Sequence, residues 1–190
     1  MTSSIAMHSP APSVHNPYAC LPQVPSFHLT STSVTDGQPL PVAQLSKMFG
    51  VPGGEDLSPQ LSWSGFPAET QSFVVSMYDP QAPTGSGFWH WVVTDIPAGT
   101  TSLPAGAGAL HGVLPGGAFV LGADAGVRQY VGGAPPAGSG VHEYYLTVTA
   151  LSVAKTGIDQ EASAAYLGFI MSGKTLARAT LICPTPAPAA

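Results

Sequence analysis

Charge is what this sequence lacks most. Only 8% of its residues are Asp, Glu, Lys or Arg, against roughly 25% in an ordinary soluble domain. The fixed cations are Lys47, Arg128, Lys155, Lys174 and Arg178, and the formal net charge is −5. No basic stripe can neutralise a phosphodiester backbone, which argues against nucleic acid as a partner. No polybasic segment is present to hold an anionic bilayer surface. Cysteine is scarce as well, with Cys20 and Cys183 near opposite ends. They read as two separate thiols; a disulfide between them is the alternative and would need an oxidising compartment. Long apolar runs are missing, so no segment reads as a membrane-spanning helix. No cation precedes Lys47, and the first 25 residues hold no apolar run of signal-peptide length. A cytoplasmic protein is the expectation.

Turn formers are abundant instead. The chain of 190 residues holds 22 Gly and 20 Pro, with 44% hydrophobic residues. That combination suits one packed domain of short strands separated by many turns. Residues 1–25 are rich in Ser, Pro and Ala and read as a flexible extension. Residues 26–183 read as the domain, and the Pro/Ala stretch 184–190 as a disordered tail.

Within the domain, five runs carry strand character: 26–31, 60–64, 72–78, 89–96 and 144–151. The last, YYLTVTAL, is rich in β-branched and aromatic residues. Several are apolar on both faces, as expected of strands buried between two layers. Helical character is confined to Ile158–Leu167, with a second short helix expected from Ser172 to about Ala179.

The stretch GFIMSGKT, Gly168 to Thr175, fits the phosphate-cradling pattern G-x-x-x-x-G-K-[ST] letter for letter. That pattern needs a strand feeding the glycine loop and a helix after it. Here the preceding segment reads as helical, and only fifteen residues follow Thr175. The match is read as chance.

Two stretches have the form of a site. In DPQAPTGSGFWHW, Asp79 ends a strand, a Pro/Gly loop follows, and His90 opens the next strand between Trp89 and Trp91. In YVGGAPPAGSGVHEY, a second Gly/Pro loop delivers His142 to the start of an aromatic strand. Period two puts His142, Tyr144 and Leu146 on one face and Glu143 on the other. Loops at strand ends are where rigid scaffolds place binding groups. Taken singly, each His and Trp also reads as a core residue and Asp79 as a turn former before Pro80. The residues alone leave both readings open.

The blocks SPQLSWSGFP (58–67), Asp79 to Trp91, IPAGTTSLPAGAG (96–108), YVGGAPPAGSGVHEYYLTVTAL (130–151) and AYLGF (165–169) resemble the phosphatidylethanolamine-binding protein family. The likeness is to its bacterial, kinase-inhibitor-like branch and spans roughly residues 26–183. It implies an all-β sandwich, with a large central antiparallel sheet packed on a smaller one and short C-terminal helices. It also implies a small pocket for phosphate, acetate or a phospholipid headgroup, walled by Asp79, Pro83, His90, Pro136, His142 and Tyr144. Imidazole N–H groups and a Tyr hydroxyl suit anion oxygens, while Asp79 can orient a His or take an ammonium. Ala82–Pro83 is a candidate cis bond. The family implies no enzyme activity, cofactor or metal, and a protein partner such as a kinase or protease.

Two departures from the family pattern stand out: Gln81 where a second acid is usual, and Glu143 where a basic residue is usual. The competing readings are a metal-dependent enzyme on Asp79, His90 and His142, and a weak hydrolase. The latter lacks any G-x-S-x-G elbow.

Overall fold

The computed structural model describes residues 16–190. Eight strands, one α-helix and, at Val42–Gln44, one 3-10 turn make up the fold: β1 (His28–Thr30), β2 (Leu61–Ser64), β3 (Ser72–Asp79), β4 (Phe88–Pro97), β5 (Ser102–Leu103), β6 (Phe119–Val120), β7 (Val141–Leu151), α1 (Ala164–Met171) and β8 (Thr175–Pro186). They form a three-stranded sheet in the order β1-β2-β5 and a five-stranded sheet in the order β6-β4-β3-β7-β8. Every strand pairing is antiparallel.

Alternation builds the sandwich. Leu61 and Trp63 of β2 meet Phe73, Val75, Met77, Trp91, Leu146 and Val148 of the large sheet in one continuous core. Trp63 lies edge-on to Phe73 with ring centroids 5.4 Å apart. The other face of the large sheet is also covered, since Val74, Val92 and Leu151 pack against Ala164 and Leu167 of α1. This explains the two-sided apolarity of β3, β4 and β7. Burying a side chain such as Leu167 contributes about 1.5–3 kcal/mol.

The helical expectations need correction. α1 begins at Ala164, capped by Ser163, whose hydroxyl accepts from Tyr166 N–H at 3.1 Å. The acids expected in its first turn lie before it, where Asp159 accepts from Glu161 N–H at 2.9 Å. That local turn competes with helix formation. The helix expected over Ser172–Ala179 is absent. Gly173, at φ 73°, ends the preceding turn, and β8 starts at Thr175. Its inward residues, Ala177 and Ala179 among them, have high helix propensity, which pairing with β7 overrides.

The stretch 184–190 expected as a tail begins inside β8. Pro184 and Pro186 sit opposite Glu143 and Val141 in β8. Ala187 N–H then donates to Gly140 O at 2.7 Å, and Gly138 N–H to Pro188 O at 2.9 Å. Proline at every second position suits an edge strand, where alternate N–H groups have no neighbour to meet. At the other end, residues 16–25 of the expected loose extension touch the domain while most of their side chains stay exposed. Tyr18 lies edge-on to Tyr145 at 6.2 Å, and Pro25 O accepts from Arg178 N–H at 3.0 Å. Residues 1–15 of that extension lie outside the described residues.

Among the described residues all peptide bonds are trans, Ala82–Pro83 included. Both cysteines are free, Cys20 exposed and Cys183 buried; burial pushes the Cys183 thiol up to about 12. No described helix is long and apolar enough to cross a membrane.

Candidate functional site

The site assembles where β3 ends and β4 and β7 begin. Asp79 closes β3 at 2% exposure, and His142 is the second residue of β7 at 1%. The two meet directly, His142 Nδ1 standing 2.7 Å from Asp79 Oδ2. The other carboxylate oxygen, Oδ1, accepts from Gln81 N–H at 2.9 Å. Asp79 thus orients a histidine and shapes its own loop.

His90 reaches the same place through a bulge. Met77 pairs with Trp91 and Tyr78 with Trp89, so His90 is the extra residue on β4. A bulge re-aims side chains. Strict alternation would put Trp89 and Trp91 on one face. Instead Trp91 lies in the inner core, while Trp89 lies among the outer residues, its ring tilted against Tyr78 with centroids 4.3 Å apart. Asp124 steadies this start of β4, accepting from Trp89 N–H at 2.8 Å. His90 turns inward beside Phe88 (4.7 Å between centroids) and edge-on to Tyr144 (5.2 Å).

A loop carbonyl fixes the His90 ring: Nδ1 lies 3.0 Å from Val131 O and can only donate to it. In the neutral ring Nε2 is then a lone-pair acceptor, and it makes no hydrogen bond among the described residues. Burial lowers the His90 pKa; Asp79 and the loop carbonyls oppose this only partly.

Tyr144 supplies the opposite polarity. It is fully buried, and its hydroxyl oxygen accepts from Ala134 N–H at 3.1 Å, leaving its own proton to donate. Burial, with Asp79 nearby, holds the phenol far above its usual value, so it keeps that proton. The loop must pass very close to this ring. A Cβ on Gly133 would stand 2.7 Å from Leu40 Cδ1 and 2.9 Å from Tyr144 Cζ. The loop is tied down by Gly132 N–H on Asp56 Oδ1 at 2.7 Å and Ser46 N–H on Gly133 O at 2.9 Å.

Four of the six expected residues, Asp79, His90, His142 and Tyr144, therefore converge. Pro136 stands next to them, because its carbonyl accepts from Ser139 Oγ at 2.6 Å. Pro83 is exposed on the β3–β4 loop, and among the described residues it makes no hydrogen bond to the other five. Glu143 points away, its carboxylate accepting from Tyr145 Oη at 2.8 Å on the outer face. Gln81 does more than remove an acid: its Oε1 accepts from Glu143 N–H at 3.1 Å and stitches the two site loops together.

Ser139 was not expected. Its Oγ lies 2.8 Å from His142 Nε2. The serine three residues before His142 in a Gly-rich turn was its only trace in sequence. Asp56, whose neighbours come from distant segments, left none. Among the described residues no three His, Cys, Asp or Glu side chains are grouped to hold a metal ion.

The family model described as Phosphatidylethanolamine-binding protein matches residues 30–185. The chain is 41% identical over 160 residues to the UPF0098 protein YbcL of Escherichia coli (strain K12), covering 84% of this chain and 87% of that one. It is 42% identical over 153 residues to YbhB of the same organism, covering 80% and 96%. The crystal structure of E. coli YbcL, described as a new member of the mammalian PEBP family, superposes with a TM-score of 0.80 at 39% identity, covering 84% of this chain and 98% of that chain. A homologue from Chlamydia trachomatis, CT736, gives 0.69 at 26% identity, covering 84% and 96%. With its motif order, sandwich architecture and converged site residues, the chain belongs to the phosphatidylethanolamine-binding protein family.

Proposed function

We propose that this protein binds a small anion, phosphate or a phospholipid headgroup, at Asp79, His90, His142 and Tyr144 without turning it over. One observation carries the reading. His90 and Tyr144 are buried side by side, and each keeps hydrogen-bonding capacity that no protein group uses. Buried polar groups ordinarily find partners. A phosphate oxygen would accept from the Tyr144 hydroxyl. At His90 Nε2 a proton must come with the anion, carried either by the imidazole or by a P–OH group. Asp79 favours that proton, and the Asp79–His142 pair holds the wall in place.

Affinity should therefore rise as pH falls. Calorimetric titration of phosphate and phosphoethanolamine from about pH 8.5 to 5.5 tests this. Uptake of about one proton per ligand is expected near neutrality, measured by repeating the titration in buffers of different ionisation enthalpy. A pH-independent affinity that also survives His90→Gln would refute the reading.

A second reading, ester hydrolysis, gains support from the Ser139–His142–Asp79 chain at 2.8 and 2.7 Å. Such constellations are recognised by geometry. Here, however, Ser139 has one proton and two acceptors in reach, Pro136 O at 2.6 Å and, in a neutral ring, His142 Nε2 at 2.8 Å. A nucleophilic serine would give it to the imidazole. Release of p-nitrophenol from its acetate ester, abolished by Ser139→Ala, would favour hydrolysis over binding.

The proposal extends to a cytoplasmic location and a regulatory partner such as a kinase or protease. The free thiols support the first, and family resemblance supports the second. Cell fractionation tests the location, and mass spectrometry of proteins retained by the tagged chain tests the partner.

A further inference from the structure

The outer face of the large sheet carries a partly open cavity. Strands β3, β4 and β7, helix α1 and residues 17–24 line this space of about 360 Å³. That lies within the range of small-molecule clefts, roughly 300–1,000 Å³. Its walls are largely apolar, with Leu21, Val74, Trp89, Val92, Leu167 and Met171 among them, and no Asp or Glu lines it. The Asp79–His142 site is on the opposite face of the sheet.

The cavity has one charged group. Arg178 projects from β8, half-buried, with its guanidinium 4.7 Å from the centre of the Tyr18 ring. The ion pairs among the described residues are Arg128–Glu161, His142–Asp79 and Lys155–Asp95, so Arg178 has no carboxylate partner. Directly across the strand pair from it stands Thr149. Thr149 lines the cavity at 4% exposure, and its hydroxyl makes no hydrogen bond among the described residues. A half-buried guanidinium that has only the Tyr18 ring beside it, and a threonine hydroxyl without a hydrogen bond among the described residues, thus share one end of a largely apolar cavity.

We propose that this cavity is a second ligand site, taking a monocarboxylate with an apolar chain, its carboxylate on Arg178 and Thr149 and its chain against Val74, Val92 and Leu167. The planar guanidinium fork matches a carboxylate. One fixed cation and one hydroxyl balance a single negative charge. A phosphate dianion would leave a charge unmatched among apolar side chains. The apolar walls select for a chain over a small acid such as acetate.

The probe is dodecanoate, titrated calorimetrically into the full chain, with Trp89 fluorescence as a second signal. Saturable one-to-one binding is expected, at least tenfold tighter than dodecanol or dodecyltrimethylammonium, and not displaced by inorganic phosphate. Arg178→Gln should erase the preference for dodecanoate over dodecanol. Met171→Trp, which fills the chamber from the end of α1, should weaken both ligands at least tenfold and keeps the test valid if Arg178→Gln does not fold. The site is refuted if dodecanoate does not saturate, if phosphate displaces it, or if its preference over dodecanol persists in folded Arg178→Gln. Unchanged dodecanoate affinity in Met171→Trp refutes it as well.

Discussion

Two polar clusters on opposite faces of the five-stranded sheet are partnered to different degrees. On the inner face, at the end where β3 meets its loop, Asp79 is bonded through both oxygens and His142 through both nitrogens. On the outer face, Arg178 and Thr149 border an apolar cavity and have neither a carboxylate nor a hydroxyl partner. A saturated pair is a structural wall, and removing one member strands the other. An unsaturated group can be removed with little harm to the fold but with loss of whatever it holds. The contrast predicts where substitution will hurt stability and where it will hurt only binding.

The largest effect should come from Asp79→Ala. It leaves His142, 1% exposed, facing an empty space where an acceptor stood. Breaking a buried pair from one side costs about 3–5 kcal/mol. Urea denaturation should show that loss, with phosphate binding gone as well. Arg178→Gln, by the same measurement, should cost less than about 1 kcal/mol. Equal losses at the two positions would erase the distinction between the faces.

Gly133→Val comes next. The added side chain must occupy space already held by Leu40 Cδ1 at 2.7 Å and Tyr144 Cζ at 2.9 Å. Overpacking of this kind costs about 1–3 kcal/mol. It should also shift the Tyr144 hydroxyl and weaken phosphate binding, while dodecanoate binding on the other face stays within twofold. Coupled losses of both ligands would mean that the two faces are not independent.

A third test uses pH. Burial lowers the His90 pKa in the folded chain, whereas the unfolded chain titrates near 6.5. Between the folded and unfolded values the unfolded state binds the extra proton. Stability contributed by neutral His90 is therefore complete above about pH 6.5 and is lost as pH falls below it, by at most about 1.4 kcal/mol per pH unit. Saturating phosphate should reduce the loss, because the bound anion welcomes the proton. Denaturation midpoints of the wild type and His90→Gln at about pH 7.5 and 5.5 measure it. Parallel pH dependence in the two proteins would place the titrating group elsewhere.

The strands that build these faces were legible to different degrees, for physical reasons. β3, β4 and β7 are long and apolar because both faces are covered, and their runs stand out in the sequence. β5 and β6 have two residues each and carry no period at all. β8 hides its alternation because Ala177 and Ala179 fill inward positions where a larger side chain would have announced a strand. In the site, Asp79, His90, His142 and Tyr144 were readable from strand-to-loop junctions and family resemblance. The bulge that turns His90 and Trp91 inward together was not, since it depends on register with β3. Ser139 and Asp56 act through partners that only the folded chain brings near.

The smallest expected effect concerns the stretch that most resembles a known motif. A phosphate-cradling loop places its glycines and Lys after a strand and before a helix, so that amide N–H groups at the helix N-terminus face the anion. Here the order is reversed. Gly168 lies inside α1, the turn through Gly173 follows the helix, and Thr175 opens β8. The motif thus sits at the helix C-terminus, where carbonyl groups and the negative end of the dipole disfavour phosphate. Thr175 Oγ1, which would hold magnesium in such a loop, donates to Met171 O at 3.2 Å instead. Lys174→Ala should change stability by less than about 0.5 kcal/mol, as for most surface substitutions. It should also leave the response to ATP unchanged, namely no saturable binding, by calorimetry with magnesium present. ATP binding that saturates in the wild type and disappears in Lys174→Ala would mean that the reversed order of helix and strand does not prevent this loop from taking a phosphate.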